Sequence, residues 1–127
     1  MAAVLYFVLY PFILLISLLP FGLLYLFSDL LYLVMYRIIG YRKSVVSKNL
    51  QNAFPEKSKK ERLQLEKQFY RYFCDLILES LKTLTISESS LKKHVEFKGK
   101  SSFEQFVEQN QSVIIVMGHQ GNWELAG

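Results

Sequence analysis

The sequence has few residues that constrain a chain covalently or conformationally, with one cysteine, three prolines and six glycines among 127 residues. A single cysteine, Cys74, excludes an intrachain disulfide, which agrees with folding in a reducing compartment. Cys74 falls on the apolar face of a predicted helix, so we expect it to be structural. Internal repeats and low-complexity tracts are also missing. The chain therefore predicts an intracellular protein stabilised by packing.

Charge is nearly absent from residues 1–36, where Asp29 is the only charged side chain. A core helix of a soluble protein would show a polar stripe, and a bilayer span needs about 20 apolar residues. A cleaved signal peptide fits less well, because no basic region precedes the apolar run and no small-x-small site follows it. We predict that residues 1–39 form a membrane anchor.

The anchor is interrupted near its middle by Pro20-Phe21-Gly22, which predicts a break or kink. We favour one span that continues as an interfacial helix; a tight hairpin of two short stretches is the alternative. Residues 37–60 hold seven basic side chains and one acidic one, Glu56. By the positive-inside rule this cluster places residues 40–127 in the cytoplasm, and it would also attract anionic headgroups. The other interpretation is that these charges only set topology.

The middle of the chain predicts helices. Residues 41–54 form a basic helical connector that ends at Pro55, and Ser58 and Glu61 form a capping box that opens a long helix to about Thr83. A short helix over 87–93, a brief strand over 95–98 and a helix from a second capping box, Ser101 and Glu104, to about Gln109 follow. The apolar face of the long helix is predicted to consist of Leu65, Phe69, Phe73, Leu76, Ile77, Ser80, Leu81 and Leu84.

An apolar, β-branched run over residues 112–117 predicts a buried parallel strand, and hence an α/β fold with helices covering a sheet. Only one strong strand is visible, so we expect the chain to be the N-terminal part of a longer enzyme. Residues 40–127 would be an incomplete α/β domain.

That run is followed by Gly118-His119-Gln120-Gly121-Asn122-Trp123-Glu124, which we term the motif segment. It contains side chains that can act in catalysis or ligand binding. The carboxyl ends of strands are where open α/β sheets bind ligands. If Gly121 permits a turn, His119 and Glu124 converge, and an imidazole held by a carboxylate is a general base for a hydroxyl. We therefore predict His119 and Glu124 as catalytic.

Other interpretations of this segment are weaker. Two ligands are too few for a zinc site, and the glycines lack the fuller pattern of a phosphate-binding loop. Asn122 either caps the following helix, fixes the loop or contacts substrate, and Trp123 either packs or contacts substrate. His94 lies in a polar stretch and is expected to face solvent.

The segment resembles the G-H-x-G-N-W-E block of the bacterial lipid A biosynthesis late acyltransferases, within the wider lysophospholipid acyltransferase superfamily. Further similarity covers the residues after the anchor: Tyr41-Arg42, Val45-Val46, Asn49-Leu50 and Phe54-Pro55-Glu56 resemble the family's pattern there. The family also has its apolar anchor at the N-terminus, so the resemblance spans nearly the whole chain.

The resemblance implies an inner-membrane enzyme with its active site facing the cytoplasm. It would transfer a fatty acyl group from an acyl carrier protein thioester to a hydroxyl of a lipid A precursor, with His119 as general base and Glu124 orienting it. Substrate contacts would come from Gly121, Asn122, Trp123 and Arg42. No metal or cofactor is expected beyond the thioester co-substrate, and the partners would be a membrane lipid, an anionic membrane surface and the carrier protein, with no nucleic acid.

Two alternatives remain open on the residues alone. The acceptor could be a phospholipid, an ornithine lipid or another glycolipid, with coenzyme A as the acyl carrier. The chain could instead be a membrane-anchored binding protein in which His119 and Glu124 are only structural. Because we expect later parts of the catalytic centre to lie beyond Gly127, we predict that the 127-residue chain alone is inactive.

Overall fold

The computed structural model describes residues 2–96, 100–114, 116, 118 and 121–125, and these residues are predominantly helical. The elements are α1 (Ala2–Leu18), α2 (Phe21–Tyr32), a π-helical segment (Leu33–Ile39), α3 (Lys43–Ala53), α4 (Lys59–Lys82), α5 (Glu88–His94), α6 (Lys100–Glu108) and a 3-10 turn (Trp123–Leu125). Helix α4 is the longest, and α1, α2, the π-helical segment, α3 and the 3-10 turn all contact it.

The predicted α/β class is wrong for the residues that the structure describes, since none of them lies in a β-strand. Of the run predicted as a strand, Ser112, Val113, Ile114 and Val116 have irregular backbone without sheet pairing, and Ile115 and Met117 lie outside the described residues. Ile114 and Val116 are each 90 % exposed. A strand is stabilised by hydrogen bonds to a neighbouring strand, and the described residues provide no such neighbour. The β-branched composition alone does not make a sheet.

The other predicted strand, over residues 95–98, is not formed at its described residues. Val95 and Glu96 follow α5 as irregular backbone, and residues 97 and 98 lie outside the described part of the chain.

The N-terminal apolar region forms two helices rather than one. Extended backbone at Pro20 separates α1 from α2, which confirms the predicted break. Within the described residues, Phe21–Ile39 is the helix long and apolar enough to cross a membrane, and Tyr6–Leu18 is a shorter apolar helix. At 1.5 Å per residue, 19 residues extend about 28 Å, close to the thickness of a bilayer core.

Helix α2 and the π-helical segment run antiparallel to α4, joined by a row of hydrogen bonds that we term the hydroxyl–carboxylate seam. The Tyr25 hydroxyl donates to Glu79 Oε1 (2.8 Å), the Ser28 hydroxyl to Asp75 Oδ1 (2.5 Å) and the Tyr36 hydroxyl to Glu66 Oε1 (3.1 Å). The buried residues on the α2 side recur every four positions, as one helical face requires: Leu24, Ser28, Tyr32 and Tyr36.

The end of α1 is attached to the end of α4 by a buried lysine. Lys82 Nζ donates to the carbonyl oxygens of Ser17 (2.8 Å) and Leu19 (2.7 Å), and the Thr85 hydroxyl also donates to the Ser17 carbonyl. The last carbonyls of a helix lack intrahelical partners and carry partial negative charge, so an ammonium group is well suited to them.

The aromatic core lies where the π-helical segment, α3 and α4 meet. It consists of Tyr32, Tyr36, Tyr70 and Cys74, with Leu31, Met35 and Val46 packed against it. The rings of Tyr32 and Tyr36 stack with centroids 5.4 Å apart, and the Tyr70 hydroxyl donates to the Tyr41 carbonyl oxygen. The predicted structural role of Cys74 is confirmed by its complete burial.

The helices predicted after the anchor are largely confirmed. The Ser58–Glu61 capping box is present with both reciprocal hydrogen bonds, and α3 and α5 lie within two residues of their predicted bounds. Helix α6 begins at Lys100, one residue before its predicted capping box.

The predicted apolar face of α4 is displaced by one position from the face that is buried. The residues buried on α4 are Glu66, Tyr70, Cys74, Leu78 and Lys82, whereas Phe69 and Leu84 of the predicted face are exposed. Apolar periodicity missed this face because Glu66 and Lys82 are buried through hydrogen bonds to other elements.

Candidate active site

The motif segment lies against α4 through Gly121 and Asn122. Gly121 has φ +78°, a left-handed conformation that glycine adopts without steric cost, and this is the turn that its position was predicted to allow. A Cβ added at Gly121 would lie 3.7 Å from the Tyr72 hydroxyl, so the backbone conformation rather than space requires glycine here.

Asn122 joins the motif segment to α4 by a side-chain hydrogen bond. Its Nδ2 donates to Glu79 Oε2 at 2.6 Å, and its carbonyl oxygen accepts from the Leu125 amide across the 3-10 turn. This hydrogen bond agrees with the predicted role of Asn122 in fixing the loop, and its role stays a prediction. The amide nitrogen is therefore engaged within the protein.

Of the predicted catalytic pair, the structure describes Glu124 but not His119. Glu124 is exposed on the 3-10 turn Trp123–Leu125, whereas His119 and Gln120 lie outside the described residues. The convergence of His119 and Glu124 thus stays a prediction. The predicted substrate contacts of Gly121, Asn122 and Trp123 also stay predictions.

Arg42 lies in a different part of the fold, at the start of α3. Its backbone is left-handed, with φ 51°, and its carbonyl oxygen accepts hydrogen bonds from the amides of Val45 and Val46. It lines an open groove of about 380 Å³ between α3 and α4, together with Tyr41, Val45, Val46, Asn49, Phe69, Tyr70 and Phe73.

The groove and the Asn122–Glu79 hydrogen bond use separate parts of α4, whereas Gly121 lies near Tyr72, which is next to the groove residue Phe73 in the sequence. Tyr70 precedes Glu79 by nine residues, which is about 14 Å along the helix axis. Burial and the nearby Glu66 carboxylate raise the pKa of Tyr70, and the charge of Arg42 lowers it by a smaller amount. The Tyr70 hydroxyl therefore remains a neutral hydrogen-bond donor to the Tyr41 carbonyl oxygen at physiological pH.

His94 is exposed, as predicted, but it has contacts that its sequence surroundings do not indicate. Its ring stacks on Phe21 with centroids 3.9 Å apart, and Nδ1 is hydrogen-bonded to the Ser90 carbonyl oxygen at 2.7 Å. It therefore covers the start of α2.

Two residues at the motif contact were not predicted from the sequence, Glu79 and Tyr25. Glu79 stands in an otherwise apolar and small-residue stretch near the end of α4, and a carboxylate in such surroundings is the signal that could have identified it. Its partners are 54 and 43 residues away, so spacing alone could not identify them.

Comparison with known proteins decides the family. The model of the bacterial lipid A biosynthesis acyltransferases matches residues 2–127. The chain belongs to this family. Membership makes it an acyltransferase by class and confirms the resemblance drawn from the motif segment and the residues after the anchor. No curated protein and no solved structure gave a significant match.

Proposed function

We propose that the protein transfers a fatty acyl group from an acyl carrier protein thioester to a hydroxyl of a lipid A precursor, at the cytoplasmic face of the bacterial inner membrane. The family match over residues 2–127 carries the proposal. The G-H-x-G-N-W-E segment within that match supplies a histidine and a carboxylate, which are the groups that such a transfer requires.

The proposed chemistry uses His119 as general base. The imidazole takes the proton of the acceptor hydroxyl while the oxygen attacks the thioester carbonyl carbon, and Glu124 orients and stabilises the imidazolium. Collapse of the tetrahedral intermediate breaks the carbon–sulfur bond, and the leaving thiolate takes the proton back from the imidazolium. No acyl-enzyme is formed, and the products are an ester and a free thiol.

Membrane binding is part of the proposal and is supported by the two faces of α2. One face carries the hydroxyl–carboxylate seam. The other exposes the apolar side chains of Leu23, Leu26, Phe27 and Leu30, continued by Leu33 of the π-helical segment, with Asp29 as the one charged side chain of α2 beside them. Helix α4, which packs along the same length, holds ten charged side chains and is costly to immerse in hydrocarbon. We therefore propose that Phe21–Ile39 lies at the membrane surface with its apolar face in lipid.

The test is lipid mass spectrometry on a strain from which the gene has been deleted. Complementation with the wild-type gene is expected to add one acyl mass to lipid A, whereas His119→Ala and Glu124→Ala are expected to reach the membrane without restoring it. Exposed Glu88, on α5, provides the matched control as Glu88→Ala and should behave as wild type.

Each other result identifies an alternative. A change confined to phospholipids or aminolipids would keep the chemistry and change the acceptor. Full activity in both motif variants would contradict the catalytic assignment and favour a membrane-anchored binding protein.

A further inference from the structure

The carboxylate of Glu79 has two donors, and they come from different elements. Oε1 accepts from the Tyr25 hydroxyl of α2 at 2.8 Å, and Oε2 accepts from Asn122 Nδ2 of the motif segment at 2.6 Å. Both oxygens are used, each by one donor. An ionised carboxylate is an acceptor only, and hydrogen bonds to it are stronger than those between neutral groups.

The motif segment is mostly exposed, so the hydrogen bond to Glu79 is important for its position. Gly118, Gly121 and Glu124 are exposed, as are the described residues of the run that precedes them. Asn122 lies three residues after His119 and two before Glu124, so fixing Asn122 restricts where both predicted catalytic side chains can be. Catalytic groups must be held within about 0.5 Å of their productive position.

We infer that Glu79 is a positioning residue, which holds the His119–Glu124 segment on α4 through Asn122 and couples it to α2 through Tyr25. This inference rests on the proposed function for its catalytic meaning. The element coupled to the motif is the helix whose other face is proposed to contact lipid, so the motif and the membrane-facing helix share one carboxylate.

In the hydrogen bond between Asn122 and Glu79, the donor and the acceptor can be exchanged by substitution. In Asn122→Asp, two carboxylates face each other at hydrogen-bond distance and repel. In the double variant Glu79→Gln/Asn122→Asp, the glutamine carbonyl oxygen still accepts from Tyr25 while its amide nitrogen donates to the new carboxylate. Each heavy atom of the original contact then has a counterpart of the same shape and opposite polarity.

The experiment follows the fluorescence and acrylamide quenching of Trp123, the single tryptophan and the neighbour of Asn122, in the full 127-residue chain. In Asn122→Asp at neutral pH we expect the ratio of attached to detached segment to fall by about tenfold or more, the factor for one charge-assisted hydrogen bond. The double variant is expected to return to the wild-type signal. Asp75→Asn is the matched control, because it neutralises a carboxylate of α4 whose donor is Ser28.

Acidification separates positioning from a general loss of structure. Protonating one of the two carboxyls in Asn122→Asp restores a hydrogen bond, so its signal should approach the wild-type signal as the pH falls from about 7.5 to about 4.5. If Asn122→Asp matches the wild type at every pH, or if the double variant is no closer to the wild type than the single ones, the inference is wrong. Circular dichroism, expected to be the same in all variants, reports on the helices.

Lipid A analysis of the same variants keeps this inference distinct from the proposed function. Full acylation by Asn122→Asp would overturn the positioning role and leave the function standing. Unchanged lipid A in the deletion strain would remove the proposed function, while the Trp123 measurements would still decide whether Glu79 holds the segment.

Discussion

Glu66 and Lys82 are charged side chains that α4 buries, with 6 % and 8 % of their surfaces exposed. Each has a partner of matching chemistry: Glu66 accepts from the Tyr36 hydroxyl, and Lys82 donates to two carbonyl oxygens. Burial of a charge is tolerated when such hydrogen bonds replace those to water. Apolar periodicity cannot identify such positions, because their partners lie 30 or more residues away.

The burial of Cys74 determines how fast its thiol reacts with a thiol reagent. The side chain is completely buried, and desolvation, assisted by the negative charge of Asp75, raises the pKa of the thiol. The reactive thiolate is therefore scarce at neutral pH. We expect the native chain to react with a thiol reagent such as iodoacetamide at least about tenfold more slowly than the chain in denaturant. Equal rates in the two states, followed by mass spectrometry, would contradict the burial of Cys74.

Among the elements, α4 shows which features can be predicted from sequence. Its start is set locally, since the Ser58 hydroxyl accepts from the Glu61 amide and the Glu61 carboxylate accepts from the Ser58 amide three residues away. Such a local contact can be predicted from the sequence. The run from Ser112 to Met117 has the composition of a strand, but a strand depends on residues elsewhere, and the described residues form none. The Glu79–Asn122 contact is equally non-local.

The attachment of the end of α1 to the end of α4, which we call the joint, depends on Lys82. Lys82→Met keeps the length of the side chain but removes the donor to the Leu19 carbonyl and one of the two donors to the Ser17 carbonyl, the other being the Thr85 hydroxyl. This loss is expected to cost about 1.5–3 kcal/mol. Chymotrypsin should then cleave after Leu18 and Phe21 about tenfold faster or more. Limited proteolysis with mass spectrometry measures this. Lys92→Met is the control, since Lys92 pairs with Glu88 at the exposed surface (2.6 Å) and should contribute little. Equal cleavage of the two variants would show that Lys82 does not hold the joint.

For the whole molecule, the proposed membrane contact combines an apolar face with the basic cluster of residues 37–60. Arg37 and Lys48 of this cluster are exposed, and each basic residue near an anionic surface contributes about 1 kcal/mol. The double variant Arg37→Gln/Lys48→Gln should therefore bind anionic vesicles about tenfold more weakly or more. Co-sedimentation at low and high salt measures this, and salt should weaken wild-type binding.

Neutral vesicles provide the control, because the apolar face of α2 is unchanged in this variant and its binding to them should match that of the wild type. If the wild type binds anionic and neutral vesicles equally well at low salt, the basic cluster does not strengthen membrane binding. It then only sets the orientation of the chain in the membrane.

The hydroxyl–carboxylate seam also bears on the order in which the protein is made. In the three pairs the donors are hydroxyls on α2 and the π-helical segment, which leave the ribosome before α4, and the acceptors are carboxylates on α4, which emerge 30 to 54 residues later. The early helix is thus nearly uncharged while it is alone and can reach a membrane without carrying buried charge. The later helix brings the charges from the aqueous side. In that order α4 docks onto a helix that is already in place, and the motif segment, made after α4, meets a carboxylate that is already oriented.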